Sequence, residues 1–551
     1  MKCIATLGVP ALAVVLLFQA GGMAQANNEP PAALTGQVSS DAEGFLEGVL
    51  VTAHKEGSIV STSVTSDAQG RYAFPESRLE PGQYKITIRA VGYELGAPAI
   101  GEVSAEKTTN LDLRLKKTKN LASQLSNAEW MMSIPGTEEQ KSFLLNCVGC
   151  HTLERVVRST HDADEWAQVI TRMMSYGAVS QPIKPQVMLD KTRAGTPEQY
   201  RKVAEYLATI NLSAVDHWEY ELKTLPRPTG LSTRAIVTEY DMGRPTTEPH
   251  DVVLDKDGNV WYSDFGELFI SKFDPKTLKL TEYPVQKFKP DAPVGQLSLD
   301  FDTAGSLWFD TMYQGSLGNL DPQTGAIKYY PLPPDWNDNR VQLNFIGLRH
   351  DVDGKVWCKN VGTEDVYRLD LASGQWERFH PTDQLPPGVR YSIYQVISDS
   401  KNNLWMAEFA DGHLGKIDAK TLKVTWFALP SPHGRARRME IDAQDRIIVT
   451  EYRANKVAMF DTKTEQFTEY DMPPFTFPYR AQFDKNGDIW TGGMSNDRVV
   501  RIEPKIGASV QYLMPSETNM RTVFIDSSTA PVTFWTGSNH AHALVKVEPL
   551  D

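Results

Sequence analysis

Cysteine is scarce in this chain of 551 residues, with four in all. An exported domain held together by disulfides normally carries more of them, in even number. Basic runs are missing too, and the formal charge is −13. That excludes a phosphate-tracking face and argues against a nucleic-acid partner. Long apolar runs are absent beyond the first residues, so no later segment reads as a membrane span. What remains is a globular composition, 41% apolar, 23% charged and 10% aromatic, in a chain long enough for two to four domains.

The N-terminus reads as an export signal. MKCIATLGVPALAVVLLFQAGGMAQA places one Lys before an apolar run, then Ala24-Gln25-Ala26. Cleavage after Ala26 makes residues 1–26 a signal peptide and the mature protein periplasmic. The run is short for the alternative, an uncleaved anchor. Cys3 precedes the run and leaves with it, so three cysteines stay: Cys147, Cys150 and Cys358. Cys358 follows Trp357 in a strand-like run and is expected as a small buried side chain.

Three regions follow, at 27–116, 117–228 and 229–551. In the first, alternating runs such as GVLVTAH, SIVSTSVTS and QYKITIRA are separated by turn signals, which predicts a small β-sandwich. The segment LTGQV…GVLVTA…VTSDAQGRYAF…LEPGQYKITIRAVGYE resembles the carboxypeptidase regulatory-like, Ig-type module. That resemblance brings no catalytic residue and implies a binding or spacer role.

The second region is helical. Asp162-Ala163-Asp164-Glu165 and Thr196-Pro197-Glu198-Gln199 are helix starts, and a further helix from about Glu138 leads into Cys147. Cys147-Val148-Gly149-Cys150-His151 is C-x-x-C-H, the attachment sequence for c-type haem. Two thiols one helical turn apart can each bond a haem vinyl, and the adjacent imidazole then points at the iron. The rivals fit less well: a thioredoxin-like pair wants a βαβ setting, and structural zinc wants a second ligand pair. The region resembles a small class I-type cytochrome c, with the motif after a first helix and a last helix carrying Tyr206-Leu207. The expectation is one covalent haem c, with His151 as proximal ligand and a methionine opposite. Met173 shares a stripe with Trp166, Val169 and Ile170 and is the first candidate. Met174 and Met188 are alternatives, and His161 is a bis-histidine option.

The third region repeats. Asp-x-x-Gly-x-(apolar)-Trp recurs with tryptophan at 261, 308, 357, 405, 490 and 535, and Ile448 stands in once. The intervals are 47, 49, 48, 43, 42 and 45 residues, which means four-stranded blades. Seven copies predict a seven-bladed β-propeller; an open two-sheet protein would explain neither period nor ends. The last copy is one strand short, and Ile236–Met242 (IVTEYDM) matches the blade-ending Gln466–Met472 (QFTEYDM). The early strand is therefore expected to close the ring.

This region resembles the streptogramin (virginiamycin B) lyase-like propellers through its G-x-(L/V/I)-W-(F/Y) core and D-P-x-T-(G/L) turn. Glu248-Pro249-His250, with Asp264 fourteen residues on, resembles that family's catalytic motif. There a Glu-Pro-His opens an inner strand and a strand-end carboxylate binds magnesium. Here the carboxylate is Asp, and Arg521 stands where the family has a further histidine. The resemblance implies His250 as a base and Glu248 with Asp264 as holders of Mg or Ca. Asp310, Glu408 and Glu451 end equivalent strands, and Arg438, Arg480 and Arg521 lie near inner strands. Such a ring suits a polar or anionic ligand, or an oxygen-bound divalent ion. Three functions stay open: haem electron transfer to a redox partner or periplasmic dehydrogenase, lyase or hydrolase chemistry at the propeller mouth, and a binding or sensor scaffold.

Overall fold

The computed structural model describes residues 31–211, 218, 220–385 and 392–551. The export signal with Ala26 and Cys3 lies outside the described residues. No described helix is long and apolar enough to cross a membrane.

The chain is a multidomain, mostly β protein. Strands from Ala32–Ser40 to Leu113–Lys117 form an Ig-like sandwich around Leu34, Val38, Val51, Tyr72, Phe74 and Ile86. Ala32–Ser40 lies inside a six-stranded sheet, pairing antiparallel with Arg71–Pro75 and parallel with Leu113–Lys117. Five helices follow: α1 (Asn127–Ser133), α2 (Glu138–Lys141), α3 (Glu154–Val157), α4 (Ala163–Met174) and α5 (Arg201–Ile210). The start at Asp162 is as the sequence indicated, while Thr196 opens a 3-10 turn, Pro197–Tyr200, that leads into α5. Asp162 caps α4 through the Glu165 amide, with Glu165 returning the bond. The helix expected from Glu138 is α in its first turn and 3-10 over Ser142–Asn146. Tyr206 on α5 donates to the Pro135 carbonyl at 2.9 Å, and its ring fills the space a Cβ on Gly136 would need. The first and last helices of the region are thereby locked together.

From Pro249 onward, six four-stranded antiparallel sheets follow in order, and a seventh is completed from elsewhere. The inner strands touch their neighbours all the way round, Pro249–Leu254 meeting Met520–Asp526 to close the ring. Ala235–Asp241 pairs antiparallel with Ala543–Pro549, which is the closure expected from IVTEYDM. Its second edge was not foreseen. The same strand pairs with Val60–Thr65 of the sandwich, so the last blade and one sandwich sheet form a single eight-stranded sheet. An edge strand that would template aggregation is covered in this way.

The repeat has a physical reason. The motif aspartate accepts two turn amides with one oxygen and the tryptophan Nε1–H with the other. Asp255 does so for Trp261 (2.9 Å), Asp302 for Trp308 (2.8 Å), Asp399 for Trp405 (3.1 Å) and Asp484 for Trp490 (2.9 Å). A cation from the third strand lies over the indole, as Lys272 does on Trp261 at 5.3 Å. Trp357 departs, because Asp351 is taken into a short helix; its Nε1 donates to the Asn402 carbonyl of the next blade at 3.2 Å. Cys358 is buried beside it, as expected.

Asp484→Ala leaves a buried Nε1–H without an acceptor and loosens a turn. It is expected to destabilise the propeller by about 1–3 kcal/mol, read as a lower urea midpoint.

Candidate functional site

The C-x-x-C-H segment forms one tight turn. The Cys150 and His151 amides donate to the Cys147 carbonyl at 3.3 and 3.4 Å. Both thiols are therefore on one side, half-buried, and neither is in a disulfide. Burial, then the neighbouring Cys150, pushes the Cys147 thiol up to about 12. Burial pushes Cys150 up to about 11, with Arg521 opposing and Glu248 adding. Protonated thiols of this kind do not make a reactive dithiol pair.

His151 is set for ligation. Its Nδ1 lies 2.9 Å from the Thr152 carbonyl, which can only accept. The proton is therefore on Nδ1 and the lone pair on Nε2, the form a metal-binding imidazole needs. Burial lowers its pKa, so the ring is neutral. Asn127 of α1 anchors the following residue by accepting from the Leu153 amide at 2.8 Å. The donor set of two thiols and one imidazole with a free Nε2 fits a covalently attached haem.

The methionines fall differently from the expectation. Met173 is 40% exposed. The buried stripe of α4 runs Trp166, Ala167, Ile170, and its next i+4 step reaches Met174, which packs on the helical core. Met173 lies one residue off that line and faces outward. Met188 is 7% exposed, in one apolar cluster with Val179, Phe265 and Tyr313, and its sulfur accepts from Arg193 Nη1 at 3.7 Å. His161 lies at the surface beside Glu165 and Trp166.

This turn sits on the propeller mouth. Asn519 Nδ2 donates to the Val148 carbonyl (3.0 Å) and Arg521 Nη2 to the Gly149 carbonyl (2.6 Å). The loop after α4 extends the seat: Gln181 reaches the Thr246 carbonyl and Lys184 the Gly266 carbonyl, each at 2.8 Å, and Tyr313 accepts from the Ala178 amide. The helical segment thereby roofs the face where the inner strands begin.

On that face, most inner strands carry a register shift just after their first pair, as between Pro249 and Val252 or Pro478 and Ala481. Such a bulge re-aims the second residue. The second residues include His250, Tyr394, Arg437, Tyr479 and Arg521. His250 is fully buried. Its Nδ1 lies 2.7 Å from Asp251, which Arg438 and Thr522 also hold. Its Nε2 lies 3.5 Å from the Tyr479 hydroxyl, which accepts from Tyr394 at 2.9 Å. Burial lowers the His250 pKa to about 3, keeping it neutral. Tyr394, Tyr479 and Arg437 were missed in the sequence; their shared position, one past the start of the inner strand, is the only signal that could have found them.

The carboxylates divide by task. Asp264 Oδ1 accepts from the amides of Glu248, Gly266 and Glu267, at 3.2, 3.1 and 3.1 Å. Asp310 accepts from Leu297, Ser298 and Met312, and Glu408 from Ser392, Ala410, Asp411 and Gly412. These strand-end carboxylates therefore tie turns in blade after blade. Among the described residues Asp264 Oδ2 and Glu248 Oε2 are nevertheless buried without a hydrogen-bond partner, and Arg244 Nη2 lies 3.8 Å from Asp264 Oδ2. Burial raises Glu248 to about 8 and Asp264 to about 7. Glu451 is raised to about 8 by burial and by Glu469. Arg480 pairs with Glu440 deeper in the channel. Among the described residues, no group of three His, Cys, Asp or Glu is placed to hold a metal ion. Glu248 and Asp264 alone make an incomplete divalent site.

The carboxypeptidase regulatory-like domain family matches residues 33–116. No curated protein matches the chain. Among solved structures, virginiamycin B lyase from Staphylococcus aureus is similar at 20% identity and TM-score 0.49, over 57% of this chain and all of that one. A catalytically inactive form of that lyase with quinupristin is similar at 18% and 0.48, over 57% and 100%. The extracellular domain of a putative one-component system from B. thetaiotaomicron is similar at 17% and 0.44, over 56% and 42%. At this level the likeness carries nothing about chemistry.

Raised carboxyl pKa values have a pH consequence. A Glu248 or Asp264 that binds its proton more tightly when folded adds stability at pH values below the unfolded pKa near 4, and loses it as pH rises through about 7 to 8. The melting temperature is expected to fall from pH 5 to pH 8, and Glu248→Gln with Asp264→Asn to flatten part of that fall.

Proposed function

We propose that this chain is an exported c-type haem protein in which the propeller mouth and the haem-bearing turn form one composite redox site. The observation that carries this is the pair of free thiols one turn apart, followed by an imidazole whose Nε2 alone is available. Cys147 and Cys150 would hold the haem through thioethers, and His151 would ligate the iron. The haem supplies one-electron chemistry when bound. The protein's own residues do the rest. Thr152 fixes the His151 tautomer, Asn519 and Arg521 clamp the turn to the propeller, and Tyr479 sets its hydroxyl beside His250 Nε2. Electrons would pass to a redox partner protein or a periplasmic dehydrogenase, with a polar small molecule at the mouth.

A second iron ligand would come from Met188, the most deeply buried of the three candidate methionines, rather than from the half-buried Met174 or the exposed Met173. Met188→Ala should abolish the thioether-to-iron absorption band of the oxidised protein and lower its reduction potential. Met173→Ala should leave both unchanged. A spectrum indifferent to Met188→Ala removes it as ligand, and a spectrum altered by Met173→Ala reverses the assignment.

A second reading, lyase or hydrolase chemistry of the streptogramin lyase type, is favoured by a different observation: the Glu-Pro-His motif opens an inner strand here, and Glu248 and Asp264 each keep a buried oxygen without a hydrogen bond among the described residues. His250 would be the base, held through Asp251, and the two carboxylates would bind Mg or Ca. If His250→Ala and Glu248→Gln abolish virginiamycin B cleavage while the haem spectrum is unaltered, the chemistry is the propeller's. If the unsubstituted protein has no such activity with added Mg or Ca, this reading fails.

A further inference from the structure

The protein is acidic overall, yet four arginines around the roofed mouth have no carboxylate at ion-pair distance among the described residues. Arg521 places Nε on Asn519 Oδ1 (2.7 Å) and Nη2 on the Gly149 carbonyl (2.6 Å). Arg193 reaches Met188 Sδ (3.7 Å) and Gln342 Oε1 (3.3 Å). Arg435 lies over the Phe409 ring at 5.3 Å; burial, then Arg453, lowers its pKa. Arg437 is the most enclosed. Its guanidinium lies 4.3 Å from the Tyr452 ring centre, 4.4 Å from Tyr479 and 5.1 Å from Tyr394. Among the described residues its N–H groups reach Met494 Sδ (3.2 Å) and the Tyr394 hydroxyl (3.4 Å), and Nε is buried without an acceptor.

Deeper in the same channel the pattern is the opposite: Arg438 pairs with Asp251, and Arg480 with Glu440. Cations desolvated together without a counter-charge are unfavourable, and a thioether is a weak acceptor. Within the channel, the cations left without a carboxylate are therefore those at its mouth. Leu145, two residues before Cys147, packs in the same cluster as Tyr452, Tyr479 and Met494, which puts the Arg437 cage beside the thiol turn.

We propose that the mouth is an anion site for an organic carboxylate, with Arg437 at its centre and the surrounding tyrosine rings receiving the ligand's flat face. A planar carboxylate matches the guanidinium fork, and the rings favour an organic anion over an inorganic one. The carboxylate comes either from the propionates of a haem tethered at Cys147 and Cys150 or from a diffusible small molecule. The first source rests on the haem reading above; the second does not.

The test is calorimetric titration of the full chain with benzoate, and with benzamide as the neutral isostere. Protein matured with haem is compared with the Cys147→Ala/Cys150→Ala variant, each with and without Arg437→Gln. Benzoate-selective binding to the haem-loaded protein, weakened about tenfold or more by Arg437→Gln, identifies a diffusible ligand. Selective binding confined to the haem-free variant, weakened by the same substitution, identifies the propionates as occupant. The proposal is overturned if neither form distinguishes benzoate from benzamide, or if binding survives Arg437→Gln undiminished. The benzoate–benzamide comparison on the unsubstituted chain decides even where Arg437→Gln unfolds. If the unsubstituted protein carries no haem, the haem reading fails alone, and selective binding to it still supports the anion site.

Discussion

One strand holds the molecule in its arrangement. Ala235–Asp241 hydrogen-bonds along one edge to the last strand of the chain and along the other to the sandwich. The first pairing closes a seven-bladed ring; the second makes the sandwich an outgrowth of the seventh blade. The helical region is strung between Lys117, at the end of the sandwich's other sheet, and Ala235, at the start of a strand in that joined sheet. Arg89 of the sandwich adds to this, pairing with Asp497 of the propeller at 2.5 Å. A roof tied at both ends can then place one short turn over the mouth without a large interface.

At the mouth, general propeller features and particular chemistry are superposed. The strand-end carboxylates are architecture: Asp264, Asp310 and Glu408 each gather three or four amides. The chain from Tyr394 through Tyr479 and His250 to Asp251 is specific to three blades, and its hydrogen bonds run in one direction. Because Asp251 accepts a hydrogen bond from His250 Nδ1–H, the neutral ring's Nε2 can only accept, so Tyr479 must donate to it and Tyr394 to Tyr479. Such a network is rigid and fully oriented before any ligand arrives.

Much of this was legible in the sequence, and the parts that were not share a cause. The blade period survives as a pattern because Asp and Trp are bonded to one another within a single turn. The C-x-x-C-H turn is read from spacing alone because its geometry is local. Met173 misled because a helical stripe drawn over three turns is ambiguous by one residue at its end, and the true line passes through Met174. The turn-tying part of Asp264 was not legible, because a carboxylate that ties a turn and one that binds a metal have the same letter. Pairing between Val60–Thr65 and Ala235–Asp241 leaves no trace in composition, since backbone edges recognise each other without side-chain signals. The tyrosine and arginine positions of the mouth became visible only once the bulges set the register.

The account stands on one covalent claim, which intact-mass measurement tests most directly. The full chain, produced in a host that matures c-type cytochromes, is denatured and weighed, and its peptides are sequenced. The prediction is a mass increment of one haem, retained through denaturation and located on the peptide containing Cys147 and Cys150. An unmodified mass from such a host, with both thiols free to alkylation, would contradict it.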